Sequence, residues 1–157
     1  LERLAAYYAA MRRTDADIKI IQNRYKATLE IHGESDPHAE AKADLEFHMA
    51  IVEAADNVVL LHVMRGLFTL LRDSISFSLD KLYTKPGVFQ SLKEQHNALM
   101  NAVIEGQPEL ARQAAKLHLV YVGDTLQKIS DDEEREKRAL RRMSPFSEEP
   151  DFKTTKS

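Results

Sequence analysis

Asp44, His48, His96 and His118 are residue types that bind metal ions, and each falls on an apolar helix stripe in the sequence. Ala41, Asp44, His48, Ile51 and Ala55 recur at steps of three or four, which puts the Asp and the first His on one helical face. Leu92, His96, Leu99 and Val103 repeat that spacing, and so do Leu110, Ala114, His118 and Tyr121. Desolvating four such groups is costly unless something bonds them, and one divalent ion can satisfy them all. The 157 residues include no cysteine, so the donors are three imidazoles and a carboxylate. That set suits Zn or Ni first and also accepts Mn, Co or Fe. An ion so held keeps open positions, and spacing alone leaves three uses for it: activating water in a metal-dependent hydrolase, holding a small anion, or stapling helices together.

The remaining candidates carry weaker signals. His32 and His38 flank Gly33 and read as surface residues, while His62 falls on the polar side of its helix. Arg65, Arg72 and Ser76 share a polar stripe with Thr69, which is either a solvated face or a cationic wall that grips a carboxylate through guanidinium forks. Several enzyme signatures are missing from the sequence. There is no His-Glu-x-x-His, no Glu three residues before any His, no Gly-rich phosphate loop and no Gly-x-Ser-x-Gly elbow. Glu46 and Glu94 lie two positions from the candidate ligands, on other helical faces.

The elements that must position these residues are helical throughout. The chain length suits one compact domain, and five glycines with five prolines leave little room for a turn-rich β architecture. Leu1 to about Arg13 is apolar at Leu1, Leu4, Ala5, Tyr8 and Met11 and reads as a first helix. Thr14 or Asp15 caps the second, which runs to Ile31, and Asp36-Pro37 starts a third that carries Asp44 and His48 to about Ala55. Val58 to about Tyr83 is the most apolar stretch and reads as the central helix. Thr84-Lys85-Pro86-Gly87 is a turn, Val88 to Glu105 a fifth helix stopped by Gly106, and Pro108 opens a last one reaching about Arg142. The expected fold is all-α, an antiparallel bundle of about six helices spanning 1–143, with a disordered tail at 144–157. A net charge of −3 gives no general attraction to nucleic acid or an anionic membrane. No apolar run approaches the roughly 20 residues of a membrane span, and the start has no signal-peptide layout, so the expected location is cytoplasmic. The chain begins without Met inside an apparent helix, which reads as a fragment of a longer protein.

Five stretches carry a family resemblance: Asp44-Leu-Glu-Phe-His48-Met-Ala-Ile51, Glu53-Ala-Ala-Asp-Asn57-Val-Val-Leu60, Glu94-Gln-His96, Ala102-Val-Ile-Glu-Gly106 and Ala115-Lys-Leu-His118. Together they resemble the effector-binding C-terminal domain of FadR-type GntR-family transcription regulators, over roughly Leu1 to Ile129. The resemblance implies an all-helical domain that forms a homodimer, binds a small carboxylate effector and controls an N-terminal winged-helix DNA reader. It also implies that Asp44, His48, His96 and His118 are the metal ligands and that the domain is not an enzyme. Ala9-Ala-Met-Arg12, Met64-Arg-Gly-Leu-Phe68 and Leu82-Tyr-x-x-Pro86-x-Val-Phe89 are similar to lactate-responsive members, so L-lactate is the expected effector, with glycolate and pyruvate as relatives' alternatives. Arg65, Arg72 and Ser76 are the expected effector contacts. The winged helix lies outside this chain, as does an Arg that the family carries shortly before the Leu1-Glu2 position.

Overall fold

The computed structural model describes residues 1–33 and 36–143, and these form six α-helices with no strand among them. They are α1 (Glu2–Arg12), α2 (Asp15–Ile31), α3 (Pro37–Ala54), α4 (Val58–Tyr83), α5 (Val88–Ile104) and α6 (Pro108–Met143). The expected tail, 144–157, lies outside the described residues. Local chemistry sets the boundaries. Thr14 and Asp17 form a capping box: the Thr14 hydroxyl accepts from the Asp17 N–H at 3.2 Å, and the Asp17 carboxylate accepts from the Thr14 N–H at 2.7 Å. Asp36 caps α3 ahead of Pro37, and the Asn57 side chain accepts the Leu60 N–H at 3.0 Å to start α4.

α1, the shortest helix, packs against three others, α3, α5 and α6. Its inner face is made of Ala5, Ala6, Ala9 and Ala10, each at most 1% exposed, and these small side chains let three neighbours approach it. The expected stripe through Leu1, Leu4 and Met11 is instead exposed. α4 departs from expectation in the same way. It packs chiefly on α3 and lies at the edge of the bundle, burying Leu60, Met64, Ser76, Leu79 and Leu82. Val59, Val63, Leu70 and Phe77 point outward, because a helix this apolar has more than one hydrophobic face and the chain supplies a neighbour for only one.

The core has two apolar parts. The larger is built on Phe47, Ile51, Val52, Leu99, Val103 and the α1 alanines, and the smaller on Ala41, Leu79, Leu82, Val88, Leu92 and Ile129. On α3 the step from one part to the other passes through Asp44 and His48, and on α5 it passes through His96. Arg12 and Arg13 lock the opposite end: Arg12 donates to the carbonyls of Ala55 and Asp56 at 3.0 and 3.1 Å, and Arg13 to that of Ile104 at 3.2 and 3.3 Å. Gly106 closes α5 at φ +71°, and a Cβ there would meet the Arg13 guanidinium at 2.5 Å. Gly106→Ala is therefore expected to cost about 1–2 kcal/mol of left-handed strain alone, and more from the displaced guanidinium, read as a lower urea midpoint.

Candidate metal centre

α3, α5 and α6 each contribute to one buried polar layer. His48, His96 and His118 are 7%, 5% and 6% exposed, and one ring nitrogen from each lies within 4.8 Å of the other two. Asp44, whose side chain is 16% exposed, brings one carboxylate oxygen to 3.5 Å from His96 Nε2 and the other to 3.9 Å from His48 Nε2. All four residues expected as metal ligands are thus brought together. Bonds of about 2.1 Å to a common ion put two donors about 3.4 Å apart at a tetrahedral angle and about 4.2 Å apart when opposite each other. The Asp44 separations of 3.5 and 3.9 Å lie inside that range, and the three imidazoles, within 4.8 Å of one another, could close on one ion with a small adjustment.

Two further observations support that fit. His96 Nε2 is buried with no hydrogen-bond partner, although Asp44 Oδ1 is 3.5 Å away, an expense that a shared ion removes. Two of the imidazoles, His96 and His118, are held in the form that binds metal. Burial, and then the neighbouring His48, hold His118 down to about 3, and burial with both other rings holds His96 well below its ordinary range. Both are neutral near pH 7. Burial pushes the Asp44 carboxyl upward, partly offset by His48 and reinforced by Glu2.

The surrounding shell includes groups that the spacing did not reveal. The His118 Nδ1–H faces Gln95 Oε1 at 3.2 Å, which leaves Nε2 of that ring for an ion. Glu2, at the start of α1, lies 4.0 Å from His48 Nδ1 on the side away from Asp44. Neither shows a distinctive pattern in sequence, since Gln95 merely adjoins His96 and Glu2 opens a helix that any acidic residue would favour. Two narrow cavities flank the layer, each of about 10 Å³, room for about one water. Ala6 and Ile51 help line one; Thr28, Lys93 and Tyr83 line the other beside Asp44 and His96. Lys93 stands three residues before His96, on the same helical side, and no carboxylate among the described residues lies within 4.0 Å of its ammonium.

Arg65, Arg72 and Ser76 are not gathered at this layer. Arg65 is exposed and pairs with Glu53 at 2.8 Å, and Arg72 is exposed beside Asp73. Ser76 is buried, but its hydroxyl meets His38 Nδ1 at 3.2 Å. None of the three lines either flanking cavity: Arg65 and Arg72 turn outward on a peripheral helix, and Ser76 is buried against His38 instead. His38 is exposed as expected, whereas His32 is only partly exposed and stacks flat on Phe89. His62 is exposed as expected, and Glu46 and Glu94 point away to Arg24 and Gln90.

Residues 1–121 match the FCD domain family, and the chain belongs to it: this is the C-terminal domain of FadR-type GntR regulators. An Escherichia coli K12 protein provisionally named L-lactate dehydrogenase operon regulatory protein is 40% identical over 141 residues, covering 90% of this chain and 53% of that protein. The HTH-type transcriptional regulator LutR of Bacillus subtilis 168 is 35% identical over 127 residues, covering 80% and 57%. The Glc operon transcriptional activator of Escherichia coli K12 is 33% identical over 132 residues, covering 82% and 52%. The chain spans about half the length of these relatives. All three are named as regulators, and the domain they share with this chain is a regulatory one, not an enzyme.

The ring pKa values carry a stability consequence for the metal-free protein. His96 and His118 stay neutral when folded, but in the unfolded chain they take up protons below about pH 6.5. Unfolding therefore binds protons, and stability falls as pH drops through 6.5 toward about 3 for His118; the raised Asp44 works the opposite way at the acidic end. The melting temperature of the chelated protein is expected to fall between pH 7.5 and 5.5, and His118→Gln to flatten that slope.

Proposed function

We propose that this chain is the ligand-sensing domain of a bacterial transcription regulator and binds a small hydroxy- or oxo-carboxylate at a divalent metal. The observation that carries the reading is the convergence of His48, His96 and His118 in one buried layer, with Asp44 against two of them and, on the cavity beside it, a lysine paired with no carboxylate among the described residues. The four side chains would hold the ion, with Gln95 fixing the His118 ring. When bound, the ion supplies positive charge and open positions for a carboxylate oxygen and an adjacent hydroxyl or oxo oxygen. Lys93 supplies the countercharge, and Thr28 and Tyr83 offer hydroxyls to orient the ligand. Burial and the charges of Asp44 and Glu40 hold the Tyr83 hydroxyl protonated, so it is available as a donor. Lys93 therefore takes the role expected of Arg65 and Arg72.

A cavity of about 10 Å³ is too small for a three-carbon acid, so binding requires the walls to part. Glu40 and Tyr83 line both this cavity and an outer cleft of about 320 Å³, and they form the partition that must move. That motion joins the ligand to the α2–α3 turn and the end of α4. It can alter DNA binding by a winged-helix domain elsewhere in the protein only if the two arrangements differ in affinity for the effector. The name of the Escherichia coli relative, an L-lactate dehydrogenase operon regulator, supports L-lactate first, with glycolate and pyruvate as the alternatives. The outward apolar face of α4 supports a homodimer, and no helix among the described residues is long and apolar enough to cross a membrane. The smallness of the cavities favours one second reading, a closed structural ion in an interaction bundle.

Calorimetry with L-lactate, glycolate, pyruvate and acetate separates the two readings. The metal-loaded protein is expected to bind the hydroxy and oxo acids and to lose them on chelation, with Lys93→Ala weakening affinity by about tenfold or more. Stabilisation by metal with no carboxylate binding would leave the structural ion. Sedimentation is expected to show a dimer that Leu70→Glu dissociates, since Leu70 is 83% exposed in the single chain.

A further inference from the structure

Three buried side-chain atoms lack a hydrogen-bond partner among the described residues: His96 Nε2, His32 Nδ1 and Glu40 Oε2. The first belongs to the histidine layer. The other two face each other across 3.6 Å, too far for a hydrogen bond and close to the roughly 3.4 Å that separates two donors on one tetrahedral ion. Native proteins rarely leave two such atoms idle side by side. We propose that His32 and Glu40 form a second divalent-cation site, distinct from the histidine layer, at the inner end of the cleft between the α2–α3 turn and the end of α4.

The geometry is already built. The His32 ring is clamped flat on Phe89, with centroids 3.3 Å apart and planes within 6°, and Tyr83 meets it edge-on at 5.1 Å. Its free nitrogen is thereby aimed at Glu40 without the cost of ordering a loose side chain. Glu40 is 9% exposed, and no Lys or Arg among the described residues lies within 4.0 Å of its carboxylate. It shares a helical face with Asp44 one turn on, and Asp80 lines the same cleft, so negative charge gathers here and a cation would offset it. The cleft of about 320 Å³ that His32 and Glu40 line leaves room for waters to complete the coordination, with Asp80 and Thr84 as further oxygens in its wall. One imidazole, one carboxylate and water suit a borderline divalent ion such as Zn²⁺ or Mn²⁺. This site rests on its own pair of orphaned atoms and does not need the effector reading.

Zinc chloride titrated by calorimetry into the chelator-stripped chain, with metal content measured by plasma mass spectrometry, tests the proposal. Two equivalents per chain are expected, the second binding more weakly. Glu40→Gln and His32→Gln should each abolish the weaker event or raise its Kd by at least about tenfold while leaving the tighter one unchanged. His118→Ala should do the reverse, so loss of the histidine-layer ion and loss of this one are read separately. His32 is the more exposed of the pair, at 30%, and its variant keeps the test open if Glu40→Gln misfolds. The proposal is overturned if His118→Ala binds no zinc, or if the weaker event survives in both Gln variants.

Discussion

The bundle is organised around a polar layer that it has to bury. Asp44, His48, His96 and His118 sit between two apolar parts of the core, on three helices that must meet there for the chain to fold. Neutral imidazoles lower the cost of that burial, but they leave His96 Nε2 without a partner. A divalent ion would turn the most expensive part of the core into its strongest cross-link. It would also bring the open positions that a carboxylate can use, so the same feature serves stability and recognition.

Enclosure of this layer depends on small residues elsewhere. The alanine face of α1 lets that helix run beside α3, α5 and α6 and set Glu2 against His48. The arginines at its far end bind the last carbonyls of α3 and α5, which fixes the two ligand-bearing helices relative to each other. α4 takes part differently. It is held mainly by α3, and Tyr83 at its end forms part of the partition between the inner cavity and the outer cleft. A helix with one packed face and one exposed apolar face is well placed to carry a local change at the site to a partner surface.

Sequence patterning reached the four residues of the buried layer because polar groups on apolar stripes stand out. It failed for Lys93, Gln95, Glu2 and Glu40, each an ordinary polar residue whose importance comes from what lies across from it. Lys93 reads as a solvated lysine, and only the packing of α2 against α5 gives it a cavity to line. Arg65 and Arg72 show the reverse case: their spacing allowed either a solvated face or a cationic wall, and in the single chain both are exposed beside carboxylates.

Local rules determined the helices themselves. The Thr14–Asp17 box, Asp36-Pro37, Asn57 and Pro108 act over a few residues, so the six segments and their limits could be read from sequence within a residue or two. The same local periodicity put each candidate ligand on an inward face. Which inward faces meet is a different matter, because helix packing is decided by the fit of whole surfaces far apart in the chain. Tertiary structure alone set the alanine face of α1 against α3, α5 and α6 and left α4 at the edge. It alone brought Asp44 to His96 and gathered His118 with the other two rings, and it set His32 against Glu40 with neither satisfied.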